Sequence, residues 1–346
     1  MTTIFMSDPG FWQGAILGLV SGLVLSGLTA IIITANLVQR NDIYDVDHWK
    51  LNVKVPFTTM WMNMGYWITT DGQPIKDFQQ ACRTLLHEVL ADSGILERDV
   101  KPKLSILDLG IGCGDQSLEL ARLANQSGYH GYDYVGLTLN ESQFRLASKR
   151  LSVALQDSDS AVGSVKVFQA DAARPGTWAP PINEAVQSLK GSRSTDSERW
   201  VLGLDSLYHF SPSRSPIFKY AAKDLDASFM AFDLMLNENA SFKNRLFVKI
   251  ISLAMKCPRD TFVTKEQYQS QLKEAGYDEK HVQIRDITDH VFSGLVNYIS
   301  QQDHELRPYG ISVGKFKVAG KMFRWFAKSK VLKAVIIVAR KKPKMT

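Results

Sequence analysis

Cysteine is scarce in this chain of 346 residues: Cys82, Cys113 and Cys257 stand far apart and form no CxxC pair. That spacing excludes a disulfide framework and a cysteine-built zinc site, so no metal centre is expected, and it suits a reducing compartment. Charge is missing from residues 9–39, which hold neither a charged side chain nor a histidine. Acid is missing after Glu305, where twelve Lys or Arg follow without one Asp or Glu. The formal net charge of +6 therefore sits in the tail, because residues 1–305 carry 29 basic against 35 acidic side chains. A basic tail suits nucleic acid or an anionic membrane surface. The apolar run at the other end favours the membrane, and no nucleic-acid partner is expected.

That run is rich in Leu, Ile and Val over residues 15–38. About 20 apolar residues cross the hydrocarbon of a bilayer, so residues 10–39 read as a transmembrane helix behind a short tail, 1–9. A cleaved signal peptide would carry a basic leader; here Asp8 stands in that place. Gly14, Gly18 and Gly22 fall four apart, the spacing through which two membrane helices pair closely, which points to a homodimer. Arg40, Lys50 and Lys54 follow the run and no base precedes it. The positive-inside rule then puts the remaining body in the cytosol, on the endoplasmic reticulum or another organelle.

What organises the body is residues 104–121, LSILDLGIGCGDQSLELA. A short apolar strand breaks at Asp108 into Gly110, Gly112 and Gly114, then becomes helical. Glycines let backbone N–H groups approach a ligand, and the helix start adds a partial positive charge that favours a carboxylate. The dinucleotide fingerprint needs a glycine at its sixth place, and here that place is Asp115. The spacing Asp-x-Gly-x-Gly-x-Gly instead resembles the first motif of class I S-adenosylmethionine-dependent methyltransferases.

Later segments extend the resemblance to roughly residues 55–340. The string MNMGYW, residues 62–67, is similar to the N-x-G-Y-W segment of many small-molecule and lipid methyltransferases, which implies that Tyr66 lies over cofactor or acceptor. The aromatic, methionine-rich stretch 55–67 around it reads as core packing or as a lid on the site. GLTLNESQ, residues 136–143, resembles G-(I/V)-T-L-S-x-x-Q of the cyclopropane fatty-acid synthase and mycolic-acid methyltransferase branch. That branch also lacks the ribose-binding acid at this strand end, and Thr138, Leu139 and Gln143 become the implied ribose contacts. Asp171 and Ala172, after a third strand, match the x-x-D-A motif whose acid accepts the adenine amino group. Asp205, after a fourth strand, stands where the family places residues beside the methyl group. Asp108, Gly110, Gly112 and Gly114 complete the cofactor set, with S-adenosyl-L-methionine as the implied cofactor.

The implied fold is α/β: a Rossmann-like, seven-stranded, mainly parallel sheet with its last strand antiparallel, a helical cap on the acceptor side and the N-terminal membrane helix. Residues 40–100 form linker and lid helices, 101–240 the cofactor core, 241–331 the acceptor side, and 332–346 the last strand and basic tail. Ser241 to Lys256 gathers Phe242, Leu246, Phe247, Ile250, Leu253 and Ala254 on one helical face, which predicts a core helix or a lid over a lipophilic acceptor. In residues 315–330, Phe316, Ala319, Phe323 and Phe326 share a face opposite six bases, a pattern that lies in a membrane interface. His209 is the candidate base, with Tyr208 and Asp205 as alternatives. Cyclopropane synthases place a Glu where Tyr208 stands, so plain C-, O- or N-methylation remains. The expected function is methylation of a sterol, isoprenoid or fatty-acyl compound. The alternatives are a polar small molecule methylated by an anchored enzyme, and a non-catalytic cofactor-binding scaffold.

Overall fold

The structure is a computed structural model that describes residues 13–14, 18–27, 29, 53–54, 57–96, 103–156, 162–191, 197–255 and 257–341. The chain divides into two units, residues 1–56 with 306–312, and residues 57–305 with 313–346. In the first unit, residues 18–27 are helical and expose Leu19, Val20, Leu23, Val24 and Leu25. A side chain placed at Gly14, Gly18 or Gly22 would meet nothing within 4 Å. Among the described residues no helix is long and apolar enough to cross a membrane, and the rest of the expected span 10–39 lies outside them.

The second unit is built on seven strands: β1 (Lys103–Leu109), β2 (Tyr132–Thr138), β3 (Val162–Gln169), β4 (Ser197–Leu204), β5 (Ser228–Leu236), β6 (Val282–Asp286) and β7 (Leu332–Ala339). Their order is β3-β2-β1-β4-β5-β7-β6. The first five are parallel, and β7 runs antiparallel to both of its neighbours. This is the mainly parallel, seven-stranded sheet implied by the motifs.

The inner strands are apolar at nearly every position because both faces are covered. Successive side chains point to opposite faces. Ile106, Tyr134, Trp200 and Met230 therefore join one core, with α1 (Phe78–Asp92) against it. Leu107, Val135, Val201 and Phe229 join the other, with Ile182, Ile217 and Tyr268. Local chemistry sets the helix ends. Asp77 Oδ1 accepts the Gln80 N–H at 2.6 Å to start α1. The α2 helix (Asp115–Gln126) follows the glycine turn, and Asn140 caps α3 (Glu141–Gln156) through the Gln143 N–H at 3.1 Å. Then come α4 (Pro180–Ser188), a short α5 (Ser215–Lys219) that continues as a π turn, α6 (Phe242–Ala254), α7 (Lys265–Ala275), α8 (Phe292–Leu306) and α9 (Lys315–Ser329).

Two helices differ from expectation. The core reading of α6 is overturned: Phe242, Leu246, Phe247 and Ile250 are exposed, while Val248 and Ser252 turn inward. The apolar face of α9, expected in a membrane interface, is divided: its C-terminal half packs inside, while Phe316 in its first turn is 63% exposed. Phe326 is fully buried, and the rings of Phe323 and Phe292 stack at 6.2 Å.

A fully buried ion pair lies within the core. Arg214, just before α5, donates to Asp233 of β5 and to the Thr261 carbonyl. Tyr268 Oη donates to Asp233 Oδ2 at 3.0 Å. Burial lowers the guanidinium's pKa, but Asp233 beside it more than restores it, so Arg214 stays charged. Arg214→Met strands a buried carboxylate and should cost about 3–5 kcal/mol of stability in denaturant unfolding. Adding Asp233→Leu should recover most of it.

Candidate active site

A cleft of about 330 Å³ opens at the carboxyl ends of β1, β2, β3 and β4, where the strand order reverses between β1 and β4. Gly110, Gly112, Thr138, Asp171, Asp205 and His209 line it. Its size falls in the range of small-molecule sites, roughly 300–1,000 Å³.

The glycine turn forms the cleft's floor. Gly110, Gly112 and Gly114 all sit at positive φ, +82°, +56° and +91°. A Cβ at Gly110 would come within 2.7 Å of Ser206 Cβ, and one at Gly114 within 3.1 Å of Ala147 Cβ. Gly114 thus lets α3 pack on the turn rather than facing the cleft itself. The α2 helix begins here without a side-chain cap, and its Gln116 lines the cleft. The positive end of the helix dipole is therefore presented to that space.

Asp108 stands behind the cleft. Its carboxyl is fully buried, accepting Gln116 Nε2–H and Tyr134 Oη–H, each at 2.7 Å. Tyr134 Oη also lies 2.6 Å from Ser117 Oγ. Burial pushes the Asp108 pKa up to about 6 against these bonds. Asp108 holds the first turn of α2 to β2; it is not placed to touch a ligand.

A second clasp closes the turn from outside. Arg150 Nη1 and Nη2 reach Asp115 Oδ2 and Oδ1 at 2.7 and 2.8 Å. The same guanidinium donates to the carbonyls of Cys113 and Thr58, and Asp115 Oδ1 accepts the Met60 N–H at 3.0 Å. The segment before α1 is thereby laid across the cleft, with Met60, Trp61, Met62 and Asn63 along its wall. Further along the same stretch, Met64, Tyr66 and Trp67 pack in the core.

Tyr66 is not part of that wall. It lies outside the cleft, its ring 5.1 Å from His290. The physical reason is a pair of backbone bonds to distant parts of the chain: the Tyr66 N–H is tied to Ala81 O, and the Trp67 N–H to His290 O. Asn63 fixes the bend before it, accepting the Gly65 N–H and donating to Cys82 O.

At the end of β2, Thr138 Oγ1 donates to Gln143 Oε1 at 2.8 Å, and Gln143 Nε2 lies 3.6 Å from Met62 Sδ. Leu139 also lines the cleft and is 69% exposed. After β3, Asp171 Oδ1 accepts the Ala173 N–H at 2.9 Å, Oδ2 lies 3.5 Å from Arg174 Nε, and Ala172 borders the same space.

The end of β4 is the most constrained. Asp205 sits at φ +60°, a region that aspartate tolerates better than most residues. Its Oδ2 accepts the Met64 N–H and its Oδ1 the Tyr208 O–H, both at 2.7 Å. Burial pushes the Asp205 carboxyl up to about 7 despite these bonds. Tyr208 is buried, its phenol pKa raised by burial, and its proton is committed to Asp205. Beside it, His209 is exposed to the cleft, with Nδ1 3.4 Å from Cys257 Sγ. The backbone here is braced from the core, since Thr261 Oγ1 donates to Tyr208 O at 2.8 Å.

Sequence reasoning missed Gln116, Arg150 and Cys257. Arg150 and Cys257 stand 35 and 48 residues from their partners, with no spacing to betray them. Gln116 had a signal, its place in the first turn after the glycines.

Two outcomes follow. An Asp whose folded pKa is raised is protonated when folded and ionised when unfolded over the interval between the two values. Asp108 and Asp205 therefore contribute stability at low pH that is lost as pH rises from about 4 to 7. Asp205→Asn should flatten that part of a pH–stability curve measured by thermal unfolding. Arg150→Met should release the segment over the cleft, seen as faster proteolysis near Phe57–Met60.

No protein-family model matches the chain, and no curated protein matches it. Solved structures do. A cyclopropane synthase from Mycobacterium tuberculosis aligns over 81% of this chain and 90% of its own, at 15% identity and a TM-score of 0.55. A [4+2]-cyclase aligns over 86% and 93%, at 16% identity and 0.54. A geranyl diphosphate C-methyltransferase from Streptomyces coelicolor, solved with S-adenosyl-L-homocysteine, aligns over 86% and 96%, at 13% identity and 0.52. The cyclase in this set is a reminder that one fold hosts several chemistries. The fold of this chain is the class I S-adenosylmethionine-dependent methyltransferase fold, of the kind found in the cyclopropane synthases.

Proposed function

We propose that this protein is an S-adenosylmethionine-dependent methyltransferase whose acceptor is a lipophilic small molecule of the sterol, isoprenoid or fatty-acyl kind. The observation that carries the reading is the cleft, around which Gly110, Gly112, Gln143, Asp171 and Asp205 converge from four strand ends. The glycine turn and the start of α2 would hold the cofactor's carboxylate. Thr138, Leu139 and Gln143 would meet its ribose, and Asp171 with Ala172 its adenine. When bound, the cofactor supplies an electrophilic methyl carbon on a sulfonium. Apolar wall residues Met60, Trp61 and Met62 favour a lipophilic acceptor.

The protein's own work is positioning and proton handling. Burial pushes the Cys257 thiol up to about 12, so the sulfur keeps its proton. The Met255 carbonyl lies 3.6 Å away to accept it. In the tautomer whose Nδ1–H donates to that sulfur, His209 would present Nε2 as the base for a proton on the acceptor. Tyr208 and Asp205 keep the loop that carries His209 in place. The uncharged run and the exposed Leu and Val of residues 18–27 support a membrane anchor within residues 10–39, and Arg40, Lys50 and Lys54 after the run favour a body in the cytosol.

The test is isotopic. Cells with and without the protein are fed deuterated-methyl methionine, and their lipids are read by mass spectrometry. A lipid should acquire the label only when the protein is present. Gly112→Val places a Cβ 3.2 Å from Met62 Sδ at φ +56°. It should reduce the labelling on the order of a hundredfold, the loss typical of a misplaced reactant. Label on a polar metabolite, with the lipids unlabelled, would sink the lipophilic acceptor.

A further inference from the structure

We propose that α6 is the element by which this protein seats itself on an anionic lipid bilayer, its apolar stripe among the acyl chains and the basic face of α9 beside it on the headgroups. Phe242 is 81% exposed, Leu246 54%, Phe247 48% and Ile250 58%. Residues 242, 246 and 250 are spaced by four, so they form one line along the helix. Lys243 and Lys249 are also exposed on α6, and lysines so placed extend their charge to the headgroups while their stems stay with the apolar surface.

The neighbouring helix supplies the sign of the partner. Phe247 packs edge-on against Trp325 of α9, ring centroids 4.9 Å apart. Lys321 and Lys328 flank Trp325 one turn to either side. Both are exposed and meet no carboxylate among the described residues. Lys317 pairs with Asp303 at 2.9 Å, and Lys249 with Asp260 at 3.1 Å. Lys243, Lys321 and Lys328 are left without a carboxylate partner among the described residues, so the surface next to the stripe keeps positive charge. Exposed Phe, Leu and Ile alongside lysines match an anionic bilayer, which offers hydrocarbon and negative charge together.

The surface leads to the cleft. The chain leaves the carboxyl end of β5 to enter α6, and just past α6 Cys257 touches His209 in the cleft. The α6 helix thus joins the proposed docking surface to the loop that touches the candidate base. In its purpose the proposal rests on the lipophilic-acceptor reading, but its geometry does not depend on it.

The full-length chain carrying Phe242→Cys, labelled with an environment-sensitive fluorophore, tests this locally. The three native cysteines are buried, so the label reports position 242. Vesicles of phosphatidylcholine with phosphatidylserine should shift the emission to the blue and brighten it several-fold. Quenchers on the acyl chains should reach it, and a label at Glu184→Cys on α4 should not respond. Lys321→Glu with Lys328→Glu should abolish the preference for phosphatidylserine. Each apolar side chain withdrawn from water is worth about tenfold in partition, so Leu246→Ser with Ile250→Ser should weaken the response at position 242 by at least that factor. A label that stays aqueous on vesicles that sediment with the protein overturns the proposal. So does a blue emission present before vesicles are added, which would mean that a second copy or the chain's own apolar run covers the stripe. Insertion without any labelled lipid in the isotope experiment would defeat the acceptor reading and leave the docking surface standing. A methylated lipid with an aqueous label would do the reverse.

Discussion

A carboxyl group shut away from water governs the geometry of this site. Asp108 is the penultimate residue of β1, where the sheet gives way to the glycine turn, and it binds Gln116 of α2 and Tyr134 of β2 at once. Burying a carboxyl is unfavourable unless hydrogen bonds compensate it. The two donors therefore have little freedom to leave, and the turn between them is held in one shape. The positive φ at the three glycines, the close approach of Ala147 and the position of the α2 N-terminus all follow from that restraint.

The cleft is then closed by bonds between distant parts of the chain rather than by a separate domain. Arg150 gathers Asp115, Cys113 and Thr58 around one guanidinium. Asp205 ties Met64 to the loop after β4. Both contacts fix backbone, not only side chains, so the wall formed by Met60 to Asn63 has a defined place. Behind His209, the buried Arg214–Asp233 pair steadies Thr261, which in turn holds the Tyr208 carbonyl. Charge buried in the core thus sets the position of the exposed histidine at the cleft.

The outer surface of the second unit answers to a different demand. The α9 helix turns Phe326 into the core, packs Phe323 against Phe292 and points its lysines outward, while Phe316 in its first turn stays exposed. The α6 helix does the opposite, burying Val248 and Ser252 and leaving larger apolar side chains outside. An exposed apolar line of this kind beside lysines is unusual on a globular body, where large apolar side chains are ordinarily covered.

The strand-turn-helix pattern around Asp108, the order of the strand-ending motifs and the Asn140 cap were legible in the residues themselves. Each is a local signal: apolar runs bounded by glycine, asparagine or aspartate fix backbone conformation within a few residues. The sheet order with its antiparallel β7 was legible only through resemblance. The placement of Tyr66 outside the cleft was not legible, because backbone bonds to Ala81 and His290, the latter more than 200 residues away, decide it. The clasp of Arg150 on Asp115 and the contact of Cys257 with His209 were hidden for the same reason. Periodicity gave α6 and α9 an apolar face each and could not say which face would be covered. That was settled by tertiary packing, since a helix pattern records which side is apolar while only its neighbours determine whether that side meets protein or solvent.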